Sequence, residues 1–201
     1  MQTMAPGAQA RGCPFRAQRL PTRHVIDVPT TTRLLYEIGG PGRILEFCVA
    51  FYLLAFADTT LQAFMYETDG AVAHGERLAK WIVAQMQGAG GGCQHAWAAA
   101  HHRARHCEKR PAAARGACFS VRDARAWMRL HFWALRDCGL DRNQEFWTWY
   151  VHFIHANIAL HNSYAPGYTH LDAVWSTDAA NIKAYRDAKR TMTDLCPSLY
   201  C

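Results

Sequence analysis

The helical spacing of apolar residues is the feature that most limits how this chain can fold. Along residues 71–87, His74, Leu78, Trp81 and Ile82 follow one another at offsets of four, seven and eight from the histidine, so they share one stripe of an α-helix. The other long apolar segments repeat in the same way, and none alternates with the period of two that a β-strand requires. The sequence therefore predicts an all-α protein.

Glycine, proline and capping residues divide the chain into six or seven predicted helices. The Gly-Gly pair at 39–40 ends a short helix at residues 31–38, and Pro41 opens the next one. Ser120 with Asp123 forms a capping-box pattern at the start of a later helix. Further helices are predicted at residues 71–87, weakly at 95–106 and at 143–161, and Ser176 or Thr177 is predicted to cap a last helix. Residues 163–175 are predicted to be irregular.

The helices within residues 31–140 form one predicted domain, with an extension at each end. Residues 1–30 form an arm whose first 26 residues contain four Arg and no acidic residue. This bias is typical of mitochondrial presequences, although the prolines in the arm disfavour the usual amphipathic helix. Residues 141–201 form a C-terminal helical extension. We expect both extensions to dock on protein partners inside the cell, in a mitochondrion or in the cytoplasm or a cilium.

The composition excludes several classes of protein. The apolar run at 47–57 is too short to cross a bilayer, so no membrane span is expected. None of the eight Cys residues forms a Cys-x-x-Cys pair, which excludes a zinc ribbon, a thioredoxin motif and c-type attachment of haem. The net charge of +6 arises from residues 1–26 and 101–125, and such clusters attract acidic surfaces or the carboxylates of a cofactor. No nucleic-acid-reading motif accompanies them, so nucleic acid is not a predicted partner.

Histidines on two separate predicted helices lie among aromatic residues, which is what a haem pocket needs. His74 shares its stripe with large hydrophobic residues, and a later helix carries His101, His102 and His106. A neutral imidazole binds iron axially, apolar walls shield the macrocycle, and nearby cations pair with its propionates. His102 and His106, four residues apart, are also a possible zinc pair, but the sequence offers no further ligands for zinc.

A series of short motifs runs through residues 33–140 in a recognisable order. The motifs are residues 35–40, Phe51-Tyr52, Asp58, Leu61, the corner at 64–66, Arg77-Leu78, the Gly-Gly break, residues 103–106, residues 122–124 and Trp127. Their order and approximate spacing resemble those of truncated (2/2) haemoglobins, closest to the bacterial and plant group with a Trp on the G helix. The resemblance implies a two-over-two helical sandwich around haem b, here with extra C-terminal helices.

The same resemblance implies a role for each matching residue. His106 would be the proximal iron ligand, and Tyr52 the distal hydroxyl on the B helix. The segments on either side of His106 differ in length from the family pattern, so His102 and His101 stay open as alternative ligands. The remaining implied roles are distal E-helix residues for His74 and Leu78, stacking on the haem for Phe64 or Tyr66, a propionate contact for Arg77 and a roof over the pocket for Trp127.

Two functions follow from these patterns. The first is a haem-b protein that reversibly binds a diatomic ligand such as oxygen or nitric oxide, and the resemblance also admits nitric-oxide or redox-stress activity. The alternative is a globin-fold structural subunit of a large assembly, such as a mitochondrial complex or a ciliary scaffold, with haem retained or lost. The two long extensions and the uncharged, aromatic-rich residues 146–171 motivate this alternative.

Overall fold

The computed structural model describes residues 27–66, 69–89, 94–159 and 166–195, and these contain helices and loops but no strand. The prediction of an all-α protein is confirmed. The described α-helices are α1 (Val28–Glu37), α2 (Pro41–Ala57), α3 (Gly70–Met86), α4 (Gln94–Arg105), α5 (Val121–Asp137), α6 (Gln144–Ala159), α7 (Pro166–Val174) and α8 (Ala179–Asp187). Short 3-10 turns lie at Leu61–Phe64, Ala112–Ala114, Leu140–Arg142 and Trp175–Thr177.

Most helix boundaries follow the glycine, proline and capping signals in the sequence. Gly39 and Gly40 have φ of +103° and +80°, a left-handed conformation that favours glycine, and Pro41 begins α2. The capping box at α5 is present, because the Asp123 backbone N–H donates to Ser120 Oγ at 3.1 Å and the Ser120 N–H donates to the Asp123 carboxylate at 2.8 Å. These local signals therefore set the ends of α1, α2 and α5.

Two predictions near the C-terminus are wrong. The described part of residues 163–175 is not irregular, because a helix, α7, begins at Pro166, and proline suits the first position of a helix. The last helix is capped neither by Ser176 nor by Thr177. Its N-cap is Asp178, whose carboxylate accepts a hydrogen bond from the Ala180 N–H at 2.8 Å.

The core lies where α2, α3, α5 and α6 meet. Helices α2 and α3 cross closely because Gly75 has no side chain, and a Cβ there would lie 2.9 Å from the backbone of Val49. The buried Phe47 of α2 packs against the ring of His131 in α5, with centroids 4.8 Å apart. The Tyr150 hydroxyl of α6 lies 2.9 Å from Nε2 of His131. Helix α6, in the predicted extension, therefore belongs to the same core as α2 and α5.

A buried ionic network joins α7 to the outer face of α5. The Asp172 carboxylate is fully buried and accepts hydrogen bonds from Nε and Nη2 of Arg125 at 2.9 and 2.8 Å. It also accepts one from Nε of Arg129 at 2.8 Å. Nη1 of Arg129 donates to Asp194 at 2.7 Å. Both guanidinium groups are buried, so carboxylates offset the cost of removing their charges from water.

Helix α8 and the residues after it close the corner at the end of α2. Asp58 is buried and accepts hydrogen bonds from the Leu61 N–H at 2.8 Å and from the Tyr185 hydroxyl at 3.1 Å. The Thr59 N–H donates to the Arg190 carbonyl at 3.2 Å. These bonds orient the loop that carries Phe64 toward the interior of the protein.

Residues 1–26 and 196–201 lie outside the part of the chain that the structure describes. The predicted arm at 1–30 is described only from residue 27, and residues 196–201 are likewise outside the described ranges. Their role in docking stays a prediction. Among the described helices, no single one is long and apolar enough to span a bilayer, and only α1 and α2 taken together, bent by 76°, reach that length and composition.

Candidate functional site

A cavity of about 590 Å³ lies between α3, α4, α5 and α6. Its volume falls within the range of roughly 300–1,000 Å³ that is usual for small-molecule and cofactor sites. Helix α4 has no extensive backbone contact with any other described helix, and its side chains face α3 and α5 across the cavity. The cavity is thus the space that separates one helix from the core.

Seven of the eight residues predicted for the site line this one cavity. They come from α2, from the Leu61–Phe64 turn and the loop after it, from α3 and from α5. The structure therefore brings together residues that lie up to 75 positions apart in the sequence, from 52 to 127. The seven are Tyr52, Phe64, Tyr66, His74, Arg77, Leu78 and Trp127.

The eighth predicted residue, His106, does not line the cavity. Its side chain is exposed, its ring stacks on His102 with centroids 4.2 Å apart, and its Nδ1 lies 2.9 Å from the His102 carbonyl oxygen. The reason is helical phase. Five residues along an α-helix turn the chain by about 500°, so residue 106 points about 140° away from residue 101. The histidine of α4 that lines the cavity is His101.

His101 has the surroundings of a metal-binding imidazole. Its Nδ1 lies 2.8 Å from the Trp97 carbonyl oxygen, and because a carbonyl only accepts hydrogen bonds, Nδ1 carries the proton. The neutral ring then has its lone pair on Nε2, the form that binds metals. Burial lowers the pKa of His101, which favours this neutral form, although the bond to Trp97 raises the pKa in part. The carbonyl also holds the ring in orientation, as in many metal sites.

His74 and Tyr52 form the polar part of the wall that α3 and α2 contribute. Their rings lie 5.1 Å apart, and the His74 ring also contacts Phe56 at 5.1 Å. Burial, with a smaller contribution from the charge of Arg77, lowers the pKa of His74 to about 4, so its imidazole is neutral at pH 7. Burial also raises the pKa of Tyr52, so its hydroxyl keeps its proton.

The ring nitrogen of His74 is not satisfied by its neighbours. Nε2 is buried and has no hydrogen-bond partner among the described residues, and the nearest acidic oxygen, Oδ1 of Asp69, lies 3.5 Å away. A buried nitrogen without a partner costs free energy, of the order of 1–3 kcal/mol. Such a group is stabilised when a polar ligand comes within hydrogen-bonding reach.

The rest of the wall is apolar and aromatic. Trp81 of α3 stacks on Trp97 of α4, with centroids 5.8 Å apart and planes 13° apart. Phe64 contacts Phe119 at 5.2 Å on another side. Trp127 stacks on the buried ring of His131, with centroids 4.0 Å apart and planes 18° apart. The sequence did not predict this contact. Ile154 and Ile158 of α6 complete the wall, and their spacing of four on one helix was the available signal.

Three cations line the cavity where it opens to solvent. Lys80 and Arg103 are exposed, and the Arg103 guanidinium lies over the Tyr66 ring at 5.2 Å from its centroid. Arg77 is exposed as well and pairs with Asp69 at 2.6 Å. A ligand with an apolar body and carboxylates at one edge matches this distribution of charge.

Comparisons of the chain with models of protein families, with curated proteins and with solved structures find no match. The choice of ligand therefore depends on the chemistry of the cavity itself. No group of three or more His, Cys, Asp or Glu side chains suited to a metal ion occurs in the described residues. One imidazole on α4 and another on α3, apolar aromatic walls and cations at the opening fit an iron macrocycle, which supplies four of its own ligands and carries propionates.

A second hollow, of about 410 Å³, lies on the other side of Met65. Its lining contains no histidine or cysteine and only one large aromatic residue. The residues are Phe56, Thr59, Gln62, Ala63, Met65 and Lys109. It lacks the donor set that distinguishes the larger cavity.

Proposed function

We propose that the cavity binds haem b, with His101 as the axial ligand of its iron, and that the protein reversibly binds a diatomic ligand such as oxygen or nitric oxide there. The observation that carries the proposal is the His101 imidazole in the cavity wall, neutral and oriented by the Trp97 carbonyl. His101 thus replaces His106 as the proposed ligand, because His106 is exposed and its ring is engaged with His102.

The arrangement of helices supports a two-over-two globin-like fold as part of this proposal. Helices α2 and α3 form one closely packed pair. Helix α5 packs closely on α2, and side chains join α5 to α6 through the hydrogen bond between His131 and Tyr150 and the contact between Phe132 and Trp147 at 5.2 Å. Helix α4 lies beside the cavity that these helices line, as the proximal helix of such a fold would.

Each polar residue of the cavity has a separate task in this proposal. Haem, when bound, would supply an iron able to hold a diatomic ligand reversibly. Tyr52, protonated, and His74, neutral, donate hydrogen bonds to a polar ligand in the cavity, and such a bond satisfies the orphaned nitrogen of His74. Arg77 and Arg103 pair with the carboxylates of the cofactor at the opening. The aromatic walls exclude water from the apolar face of the cofactor.

Haemin titration of the wild type and three variants tests this assignment. We expect the wild-type chain to develop a Soret band, His101→Ala to lose it or bind haemin far more weakly, and His106→Ala to match the wild type. His101→Gly should regain the axial-ligand spectrum when free imidazole is added, which separates loss of a ligand from loss of fold. A wild-type chain that takes up no haemin, or a His101→Ala spectrum equal to that of the wild type, would refute the proposal.

A further inference from the structure

Aromatic rings form a continuous chain from His101 to the protein surface. The His101 ring contacts Trp97 at a centroid distance of 4.3 Å. Trp97 stacks on Trp81 at 5.8 Å, and Trp81 stacks on Phe153 at 5.4 Å. Phe153 in turn stacks on Trp149 at 5.0 Å. Every step lies within the 4.5–7 Å range of ordinary aromatic contacts or below it.

The chain of rings crosses from α4 through α3 to α6, and its two ends differ in environment. Trp97 and Trp81 line the cavity, and Trp81 and Phe153 are buried. Trp149, the last ring, is partly exposed on α6. The planes of the last three contacts lie 13°, 29° and 14° apart, so the indole and phenyl faces overlap rather than meet edge to face.

Stacked indole rings can transfer single electrons as well as pack the interior. Tryptophan is, with tyrosine, the protein side chain that most readily loses a single electron, and closely spaced rings divide a long transfer into short steps. A cavity wall needs large apolar side chains but does not need an unbroken stack that ends at the surface. The continuity of this stack, with one end at the proposed iron ligand, is the feature that simple packing leaves unexplained.

We propose that this chain, here called the tryptophan relay (Trp97, Trp81, Phe153 and Trp149), carries single electrons from a reductant at the surface to the haem site, and that the protein thereby reduces hydrogen peroxide. The inference rests on the proposed binding of haem in the cavity. Trp97 gives an electron toward the cofactor and is refilled from Trp81, which is refilled from Trp149 through Phe153. The relay residues end each cycle unchanged.

The overall reaction balances with a small one-electron donor such as a phenol or ascorbate as the reductant. Hydrogen peroxide takes up two electrons and two protons, its O–O bond breaks, and two molecules of water form. Two molecules of the donor each lose one electron and one proton and become radicals. The donor acts at the exposed edge of Trp149, so it need not enter the cavity.

Trp147 provides a matched control on the same helix. It is partly exposed like Trp149, but its recorded ring contacts are with Phe132 at 5.2 Å and with the Arg136 guanidinium at 5.2 Å. Neither of these residues belongs to the relay. Trp147→Phe and Trp149→Phe therefore remove the same chemical group from the same helix, and only the second change interrupts the proposed path.

The experiment uses haemin-loaded wild-type protein and the variants Trp149→Phe, Trp147→Phe and Trp81→Phe, all compared at equal bound haemin as measured from the Soret band. In one assay, each protein is treated with hydrogen peroxide without a donor, and peptide mass spectrometry locates the oxidised tryptophans. In a second assay, ascorbate is present with the hydrogen peroxide, and the rate of ascorbate oxidation is measured. We expect oxidation at Trp149 in the wild type and in Trp147→Phe. In Trp81→Phe, Trp149 should stay unmodified, and both Trp81→Phe and Trp149→Phe should lose most of their ascorbate oxidation.

The outcomes separate this inference from the proposed function. An unmodified Trp149 in the haemin-loaded wild type, or ascorbate oxidation in Trp149→Phe equal to that in Trp147→Phe, overturns the relay while leaving haem binding intact. A wild-type chain without a Soret band refutes the proposed function first, and the relay with it. Oxidation at Trp149 that persists in Trp81→Phe also overturns the relay, since the modification would then not travel through α3.

Discussion

Removal of the Asp172 carboxylate should be the most destabilising single change outside the cavity. This carboxylate is fully buried and accepts three charge-assisted hydrogen bonds of 2.8–2.9 Å, two from Arg125 and one from Arg129. In Asp172→Ala, Arg129 keeps its bond to Asp194, and Arg125 keeps its bond to the Leu195 carbonyl. Arg129 is then paired with a carboxylate that lies mostly in solvent, and Arg125 loses the ion pair that Asp172 supplied.

The magnitude follows from the burial of both guanidinium groups. Breaking a buried ion pair by removing one partner typically costs about 3–5 kcal/mol, because the remaining charge is left in a poorly solvated site. A domain of ordinary stability has about 5–15 kcal/mol in total, so Asp172→Ala should remove a large share of it. Asp194 is 65% exposed, and its replacement by Ala should cost no more than about 1 kcal/mol.

Urea unfolding of the wild type, Asp172→Ala and Asp194→Ala measures both values under the same conditions. The midpoint should fall far more for Asp172→Ala than for Asp194→Ala, with similar slopes for all three proteins. A free energy of unfolding for Asp172→Ala within about 1 kcal/mol of that for Asp194→Ala would refute the reasoning. It would mean that water or backbone carbonyls replace the carboxylate at little cost.

Three further predictions concern the core and the cavity. Gly75→Ala should lower the free energy of unfolding by about 1–3 kcal/mol, because the added Cβ would meet the Val49 backbone. Gly42→Ala should not lower it, since no atom lies within 4 Å of the added Cβ. Equal values for the two variants in urea unfolding would contradict the close crossing of α2 and α3. The pKa of His74 is about 4 in the folded chain, against an ordinary value near 6.5 in the unfolded chain. As pH falls, the unfolded state therefore binds the proton first. The free energy of unfolding should fall by about 3 kcal/mol in all between pH 6.5 and pH 4. His74→Leu should remove that part of the pH dependence in urea unfolding of the haem-free chain, and an unchanged dependence would contradict the assignment. Tyr52→Phe should speed oxygen release from the haem-loaded protein in stopped-flow measurements, since it deletes one hydrogen-bond donor worth about 1 kcal/mol, and an unchanged rate would exclude that donor.

The sequence predicted the helices because local signals determine them, and it predicted much of the cavity wall because its motifs resemble those of truncated haemoglobins. Glycine, proline and the Ser120–Asp123 capping box fix helix ends, and a stripe at the helical period brings His74 and Leu78 to one side of α3. The resemblance to truncated haemoglobins, which rests on the order of the motifs, implied that Tyr52 and Trp127 would also line the cavity, and both do.

The identity of the histidine on α4 could not be predicted in the same way. His101, His102 and His106 lie within six residues, with His102 and His106 stacked on each other on a different face from His101, and only the position of α4 beside the cavity selects His101. The ionic network was equally hidden, because Asp172 lies 43–47 residues beyond its arginine partners in a segment without a clear helical pattern. Long-range pairings of this kind depend on tertiary packing rather than on local propensity.

Helix α4 makes few backbone contacts with the other described helices, so a ligand can enter the cavity without global unfolding of the protein. Its described contacts with α3 are made by side chains such as Trp97 and not by extensive backbone packing. We therefore expect α4 to open locally while α2 and α3 stay packed against each other. Hydrogen exchange of residues 94–105 should therefore be faster than that of α2. A flat ligand could enter by displacement of this one helix, so its rate of uptake would follow the local opening equilibrium and would be insensitive to changes, such as Asp172→Ala, that weaken the opposite face of α5.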